Sequence, residues 1–369
     1  MDLCRTASRS RIAASIVLVS LALMPGVAAA QSEGPVRIGV AAPLSGTSAI
    51  LGEQVRAGAE AAARRLSQDG GAVETVAADT ECTPDGGERA ARSMVEAKVT
   101  AAVGFLCTEA LETALPILRE AGIPAIVVGV RANRITDKRA KSGALVWRIA
   151  PRSDAEASAI AAVLIARWRD LPFGIVEDGS IYGRGLADAV RSRLEAEGMK
   201  PSTLDNYRPA EEKQFGLARR LQKTGVTRFF IAGDRPDIAV IARDAAASGL
   251  TAEIVGGESL LDESSADTPL PEGIIAIGPQ TEFPTLVEGG SAAPPQGYEG
   301  PAYAAVEIAV AAARQAAAGG KAIADVLNQT AFTTALGTIR FDAKGDSDLD
   351  LYRSFTWQGG RFVETAVQP

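Results

Sequence analysis

From Val36 onward the chain alternates short β-rich apolar runs with longer stretches of helical periodicity, and that alternation admits few folds. "VRIGVAA" reads as a strand, the turn "PLSGT" follows, and Val55, Ala59, Ala62 and Leu66 then recur on one helical face until Gly70-Gly71. "AVETVAAD", "TAAVGFL" and "IPAIVVGV" are the next strands. Between them lie the helices "GERAARSMVEAK" and "EALETALPILREAG", the latter expected to be interrupted at Pro116. The rhythm resumes after "LVWRIAP": Ile160, Val163, Leu164 and Trp168 stripe one helix, and "FGIVED", a strand near "STLDNY", "TRFFIAG" and "AEIVGG" alternate with three further helices. "SAAPPQGYEGP" is a loop feeding a last long helix, "AYAAVEIAVAAARQAAAGG", and "TIRFDAKGDSDLDLYRSFTWQGGRFVE" reads as extended segments with turns. Strands alternating with helices of about 10 to 15 residues predict parallel, doubly wound sheets. Two such α/β halves meet near Ala150-Pro151.

The N-terminus sets the compartment. Arg5, Arg9 and Arg11 precede the apolar run "IAASIVLVSLALM", and small residues Ala28 and Ala30 precede Gln31. This pattern predicts a secretory signal peptide over residues 1–30, cleaved after Ala30, and an exported, soluble mature chain. Cleavage removes three Arg and one Asp, so the formal balance moves from 38 against 45 to 35 against 44, or −9. Such a chain has no electrostatic reason to seek nucleic acid or anionic lipid. The mature length calls for two domains.

Of the three cysteines, Cys4 lies in the segment to be removed, leaving Cys82 and Cys107. In an oxidising compartment a lone pair reads most simply as a disulfide. Cys82 follows the second strand and Cys107 the third, so the expected bridge staples adjacent strands at their carboxyl ends, the edge at which open α/β sheets bind ligands.

Histidine is absent from all 369 residues, which removes His-based general-base catalysis, Ser-His-Asp triads and the commonest metal ligand. "GGESLL" lacks the second glycine of a nucleophile elbow, "GVAAPLSG" is not a dinucleotide fingerprint, and no Walker A sequence occurs. "DSDLDL", Asp346 to Leu351, has leucine where a calcium loop needs glycine and reads as a polar turn before the final strand. No catalytic residue, cofactor or metal is expected, and nothing points to an enzyme.

The ordered pieces "IGVAAPLSG" with "LGEQVRAGAEAA", "ADTECTPDGGERAA", "VGFLCTEALETALPILREAGIPAIVVG", "EDGSIYGRGLADAV", "FFIAGDRPDIAVIARDAAASGL", "GGES", "EGIIAIG", "AYAAVEIAVAA" and "FDAKGDSD" span Val36 to Val363. In that order the chain resembles the type I periplasmic solute-binding proteins of ABC importers, in particular the leucine/isoleucine/valine-binding branch. The resemblance implies two doubly wound α/β lobes joined by three crossover strands near 146–151, 272–283 and 336–342. Lobe 1 is expected over 31–149 plus 280–338 and lobe 2 over 150–279 plus 339–369. It also implies a Cys82–Cys107 disulfide, a small amino-acid-like or polar carboxylate solute bound between the lobes, and delivery to a permease/ATPase complex in the inner membrane. A ligand-sensing or accessory periplasmic protein on the same fold, without import, is the alternative.

Carried over by position, Thr108 matches the hydroxyl residue that takes the ligand's α-carboxylate and Glu258 the acid that takes its α-ammonium group. Tyr182 matches an aromatic residue on the second lobe, and Leu51 sits where the first loop meets the ligand side chain. Two positions depart. Arg131 stands where the family usually offers Thr, and Asp234 followed by Arg235 stands where branched-chain binders offer Tyr. Both put a branched-chain preference in doubt. Each candidate also has a plainer reading. Thr108 suits a helix cap and Ser45 the closing of the first turn. Leu51 and Tyr182 suit packing, and Arg131, Asp234 and Glu258 suit solvated charge. Glu109 reads as a helix-start charge and Tyr298 as a wall of the cleft.

Overall fold

The computed structural model describes residues 34–262, 268–286 and 294–366. The expected signal peptide lies outside them. In chain order the elements are β1 (Val36–Ala42), α1 (Ala49–Asp69), β2 (Val73–Asp79), α2 (Pro84–Glu96), β3 (Ala101–Gly104), α3 (Thr108–Glu120), β4 (Ala125–Val127), the short α4 (Arg134–Asp137) and α5 (Arg139–Ser142), and β5 (Val146–Arg148). Then come α6 (Ala155–Trp168), β6 (Gly174–Glu177), α7 (Ile181–Ala196), β7 (Thr203–Asn206), α8 (Phe215–Lys223), β8 (Arg228–Ala232), α9 (Arg235–Ala247), β9 (Glu253–Gly256) and β10 (Ile275–Pro279). The chain closes with α10 (Glu299–Gly319), α11 (Ile323–Gln329), β11 (Phe332–Thr334), β12 (Gly337–Ile339), β13 (Tyr352–Gln358) and β14 (Arg361–Thr365).

Among the described residues two main sheets form. The first has the order β2-β1-β3-β4-β5 and is parallel throughout. The second has the order β14-β13-β10-β9-β8-β6-β7, parallel from β10 to β7, with β13 and β14 added antiparallel. Helices cover both faces of each, as parallel sheets require. On the first sheet α1 and α10 share one core, and α2 and α3 share the other. On the second sheet α6 packs with α7 and α8 with α9. The stripe Ile160, Val163, Leu164 and Trp168 is buried, and Trp168 stacks on Phe173 with ring centroids 6.1 Å apart.

Glycine sets how closely the helix pairs approach. A Cβ added at Gly58 of α1 would stand 2.1 Å from the Glu299 carbonyl oxygen of α10, and one at Gly87 of α2 equally close to the Ala110 carbonyl of α3. Helix α10 returns the chain from the second sheet to the first and is buried on nearly every side, which explains its Ala-rich, apolar sequence.

Three sequence expectations need correction. Helix α3 is not interrupted at Pro116 but runs through it. Pro116 and Glu112, whose carbonyl loses its helical donor, are both exposed, so water can serve that carbonyl. Burying Leu111 and Leu118 completely, at about 1.5–3 kcal/mol each, offsets the cost of roughly 3 kcal/mol for an interior proline. The two strands preceding the cysteines are not neighbours, because β1 lies between β2 and β3. The "DSDLDL" segment is not simply a polar turn: Asp346 bridges to Arg148 and Ser347 to Phe341, and Asp346 is only 7% exposed.

Asp346 belongs to a crossing between the sheets. Its segment runs beside β5: the Arg148 amide donates to the Gly345 carbonyl at 2.8 Å, and the Ser347 amide to the Arg148 carbonyl at 2.9 Å. The fully buried Arg148 guanidinium donates through Nε to Asp346 Oδ1 at 2.7 Å, and through its Nη atoms to the Ala132 carbonyl at 3.0 Å and Thr136 Oγ1 at 2.7 Å. Asp346 Oδ2 accepts from Thr136 at 3.0 Å and from Arg152 Nη1 at 2.8 Å. Burial holds Arg148 below the usual arginine value despite Asp346. Burial also works against Arg152, but its bonds to Asp154, Asp346 and Asp137 outweigh it and push that group up.

Candidate functional site

The carboxyl edge of the first sheet presents the loops after β1, β3 and β4 side by side, because β1 pairs with β3 and β3 with β4. Cys82 and Cys107 are disulfide-bonded across this edge, with Cα atoms 5.2 Å apart. Three non-glycine residues beside the bridge have left-handed backbone: Glu81 (φ 50°), Cys82 (φ 54°) and Phe105 (φ 58°). Each such conformation is unfavourable by about 1–2 kcal/mol, and strain of this kind concentrates where loops are held for a purpose. Phe105 is held by complete burial and by its amide bonded to the Ala41 carbonyl at 2.6 Å.

Thr108 is the first residue of α3 rather than its cap; Cys107 takes the cap position with extended backbone. Thr108 is partly buried at a helix end whose free amides and dipole favour an anion. Ser45 is exposed in the loop after β1 and hydrogen-bonds Asp79, the last residue of β2. Burial works to raise Asp79, but Ser45 and the amides of Glu81 and Leu44 win and lower it. Ser45 is thus a turn closer. Leu51, in the first turn of α1, is 39% exposed beside the more exposed Ile50.

Arg131, in the loop after β4, reaches residues of the second sheet. Its Nη1 donates to Glu258 Oε1 at 2.7 Å and Oε2 at 2.9 Å, and its Nη2 bonds the Tyr352 hydroxyl. The Tyr352 hydroxyl donates in turn to Glu258 Oε2 at 3.2 Å. Glu258 opens the 3-10 turn that follows β9, and Tyr352 opens β13. Burial works against the Arg131 charge, but the bond to Glu258 and the surrounding negative groups hold it above its usual value. Behind this group lies Glu156 on α6, only 3% exposed. The Tyr182 hydroxyl donates to it, 2.9 Å from either oxygen, and the Glu258 amide donates to Oε1 at 2.9 Å. Burial first, and the Glu258 charge second, push the Glu156 carboxyl up. Burial also raises the phenols of Tyr182 and Tyr352, so both act as neutral donors near neutral pH.

Five side chains from both sheets therefore form one connected group: Arg131, Glu258, Tyr352, Glu156 and Tyr182. Tyr298 borders it, pushed up by burial and within reach of the Arg131 and Glu258 charges. Of the sequence candidates, Arg131, Glu258 and Tyr182 are brought together. Among the described residues, Ser45, Leu51, Thr108 and Asp234 make no hydrogen bond or ion pair to the group. Asp234 is exposed at the cap position of α9, and its side chain makes no cap bond. Arg131 and Glu258 are not solvated surface charges; the carboxylate that the Arg131 fork finds is the protein's own.

Sequence reading missed Glu156 and Tyr352. Glu156 was within reach, because it lies four residues before Ile160 on the buried stripe of α6, where an unpartnered acid is costly. Tyr352 carried no such signal, since a tyrosine at the start of a strand reads as ordinary β-former. Among the described residues no cluster of acids or cysteines suited to a metal occurs, and no helix is long and apolar enough to cross a membrane.

Comparison with known proteins fits this arrangement. A family profile described as "Periplasmic binding protein" matches residues 35–358. A Leu/Ile/Val-binding protein homolog of Brucella abortus is 28% identical over 360 residues, covering 94% of this chain and 95% of the relative. A putative branched-chain amino acid ABC transporter structure from Rhodospirillum rubrum superposes with a TM-score of 0.73 at 18% identity, covering 90% of this chain and 100% of that one. An ABC transporter substrate-binding protein from Desulfitobacterium hafniense, solved in complex with Leu, gives a TM-score of 0.67 at 22% identity, with the same coverage.

Proposed function

Because the chain belongs to the periplasmic binding protein family and is a solute-binding protein, we propose that it captures a small amino-acid-like or polar carboxylate solute between its two sheets. It then presents that solute to a membrane permease of the ABC type. The protein works outside the cytoplasm, exported by the segment over residues 1–30. One observation carries the choice of site: Arg131 from one sheet and Glu258 and Tyr352 from the other meet across the junction. A solute there touches both halves at once.

The candidate contacts divide by side. Thr108 and the amides at the start of α3 offer donors to a carboxylate from the first half. Tyr182 and Glu258 bound the second half, fixed by Glu156. Ser45 lies at the rim as a turn closer, and Leu51 and Asp234 form outer walls. A ligand favours the closed arrangement only to the extent that it binds that state more tightly.

Calorimetry and thermal shift against amino acids, dicarboxylates, amides and aromatic acids test the reading. A ligand present at about 100 times its Kd stabilises the fold by about 2.7 kcal/mol. Thr108→Ala should weaken the best ligand, and Glu258→Ala, which breaks the pair with Arg131, should change its affinity. Unchanged affinity in both variants would place the site elsewhere.

A further inference from the structure

We infer that Arg131 makes this site select carboxylates that lack an α-ammonium group; the inference rests on the solute-capture reading above and deepens it. The argument is a count of free donors and acceptors. An ammonium group brought between the sheets needs acceptors, preferably a carboxylate. Glu258 is largely committed: both of its oxygens accept from Arg131 Nη1, Oε2 accepts from Tyr352 as well, and its charge is already matched by the guanidinium, leaving about one acceptor position on Oε1. Glu156 is sealed in, with Tyr182 on both oxygens and the Glu258 amide on one. Asp234 and Asp262 are exposed, and the buried Asp178 and Asp237 already accept backbone amides, from Ser180 and Ala210 respectively.

Donors, by contrast, are in surplus. The Arg131 Nε–H is buried and has no partner among the described residues, so the guanidinium keeps an unused donor although Glu258 matches its charge. A carboxylate meets that donor favourably. An amino acid places its ammonium next to its carboxylate, and so sets a second cation beside the guanidinium, with only the already ion-paired Glu258 to receive it. The guanidinium already fills the place of the cation. Such rejection by an unpaired charge is how sites discriminate between ligands of equal size.

Pairs of probes that differ only in the ammonium group test this by calorimetry on the full mature chain: L-leucine against 4-methylpentanoate, L-phenylalanine against 3-phenylpropanoate, and L-glutamate against glutarate. In the wild-type protein the deaminated member of whichever pair fits should bind at least about tenfold more tightly. Arg131→Met, which frees Glu258, should narrow or reverse that preference. If the amino acid binds as tightly as its deaminated partner, the inference is overturned while solute capture stands. A preference unchanged in Arg131→Met overturns the role of Arg131. If neither member of any pair binds to protein with an intact melting transition, the carboxylate reading itself fails, and the inference with it. The wild-type comparison decides the matter even if the variant does not fold.

Discussion

Two ion-paired clusters join residues far apart in the chain, and they are built differently. At the crossing, Arg148 and Asp346 are almost fully buried, and the polar atoms of that pair are matched by Thr136, Arg152 and the Ala132 carbonyl. At the junction between the sheets, the Arg131 and Glu258 side chains keep 29% and 25% of their surface exposed, and Arg131 Nε has no partner among the described residues. The chemistry is the same, a guanidinium on a carboxylate. The first is matched on all sides and dry, which suits a connection that persists. The second is wet and incompletely matched, so water or a solute can replace either partner at modest cost. Burial and saturation, not the identity of the residues, separate a fastener from the proposed binding site.

The largest expected effect lies at the crossing. Asp346→Ala strands a buried guanidinium and should cost about 3–5 kcal/mol of stability, read as a lower midpoint in urea. Replacing both partners by apolar residues, Arg148→Met with Asp346→Leu, should cost less than the single change; a double variant worse than the single one would show that the pair is not acting as a unit. Next comes the Cys82–Cys107 bridge. Changing both cysteines to serine should cost about 3 kcal/mol in the chain-entropy picture for a separation of 25 residues. Failure of a reductant to lower the melting temperature of the wild type would contradict that. At the junction, Arg131→Met should change stability by only about 1 kcal/mol, because Glu258 stays within reach of water. A loss comparable to that of Asp346→Ala would erase the distinction between the two clusters.

The smallest effect is a slope with pH. Glu156 in the folded protein lies above the usual glutamate range, so the native state holds its proton more readily than the unfolded chain. Its ionisation therefore costs stability as pH rises through the ordinary glutamate value, and the cost is complete above the raised one. Glu156→Gln removes this term. The stability of the variant relative to wild type should climb across that acidic window and then level off. A flat difference would mean that Glu156 is not perturbed. Any constant offset reports only the altered bond to Tyr182.

Local pattern decided a great deal. The spacing of apolar residues identified α1 and the stripe on α6, and "VRIGVAA" coincides with β1 (Val36–Ala42), because strand and helix periods are set by neighbours along the chain. Counting cysteines was enough to pair Cys82 with Cys107. Glu156 was legible in principle as an acid on a buried stripe. Strand order was not, since nothing local tells β1 to lie between β2 and β3. Nor was the partner of Arg131, which is 127 residues away, or that of Arg148, at 198. A charge in a loop reads as solvated until the fold brings another element against it. Which charges stay wet and which are sealed depends on how two sheets and their crossings pack, and that is settled only when the whole chain has closed on itself.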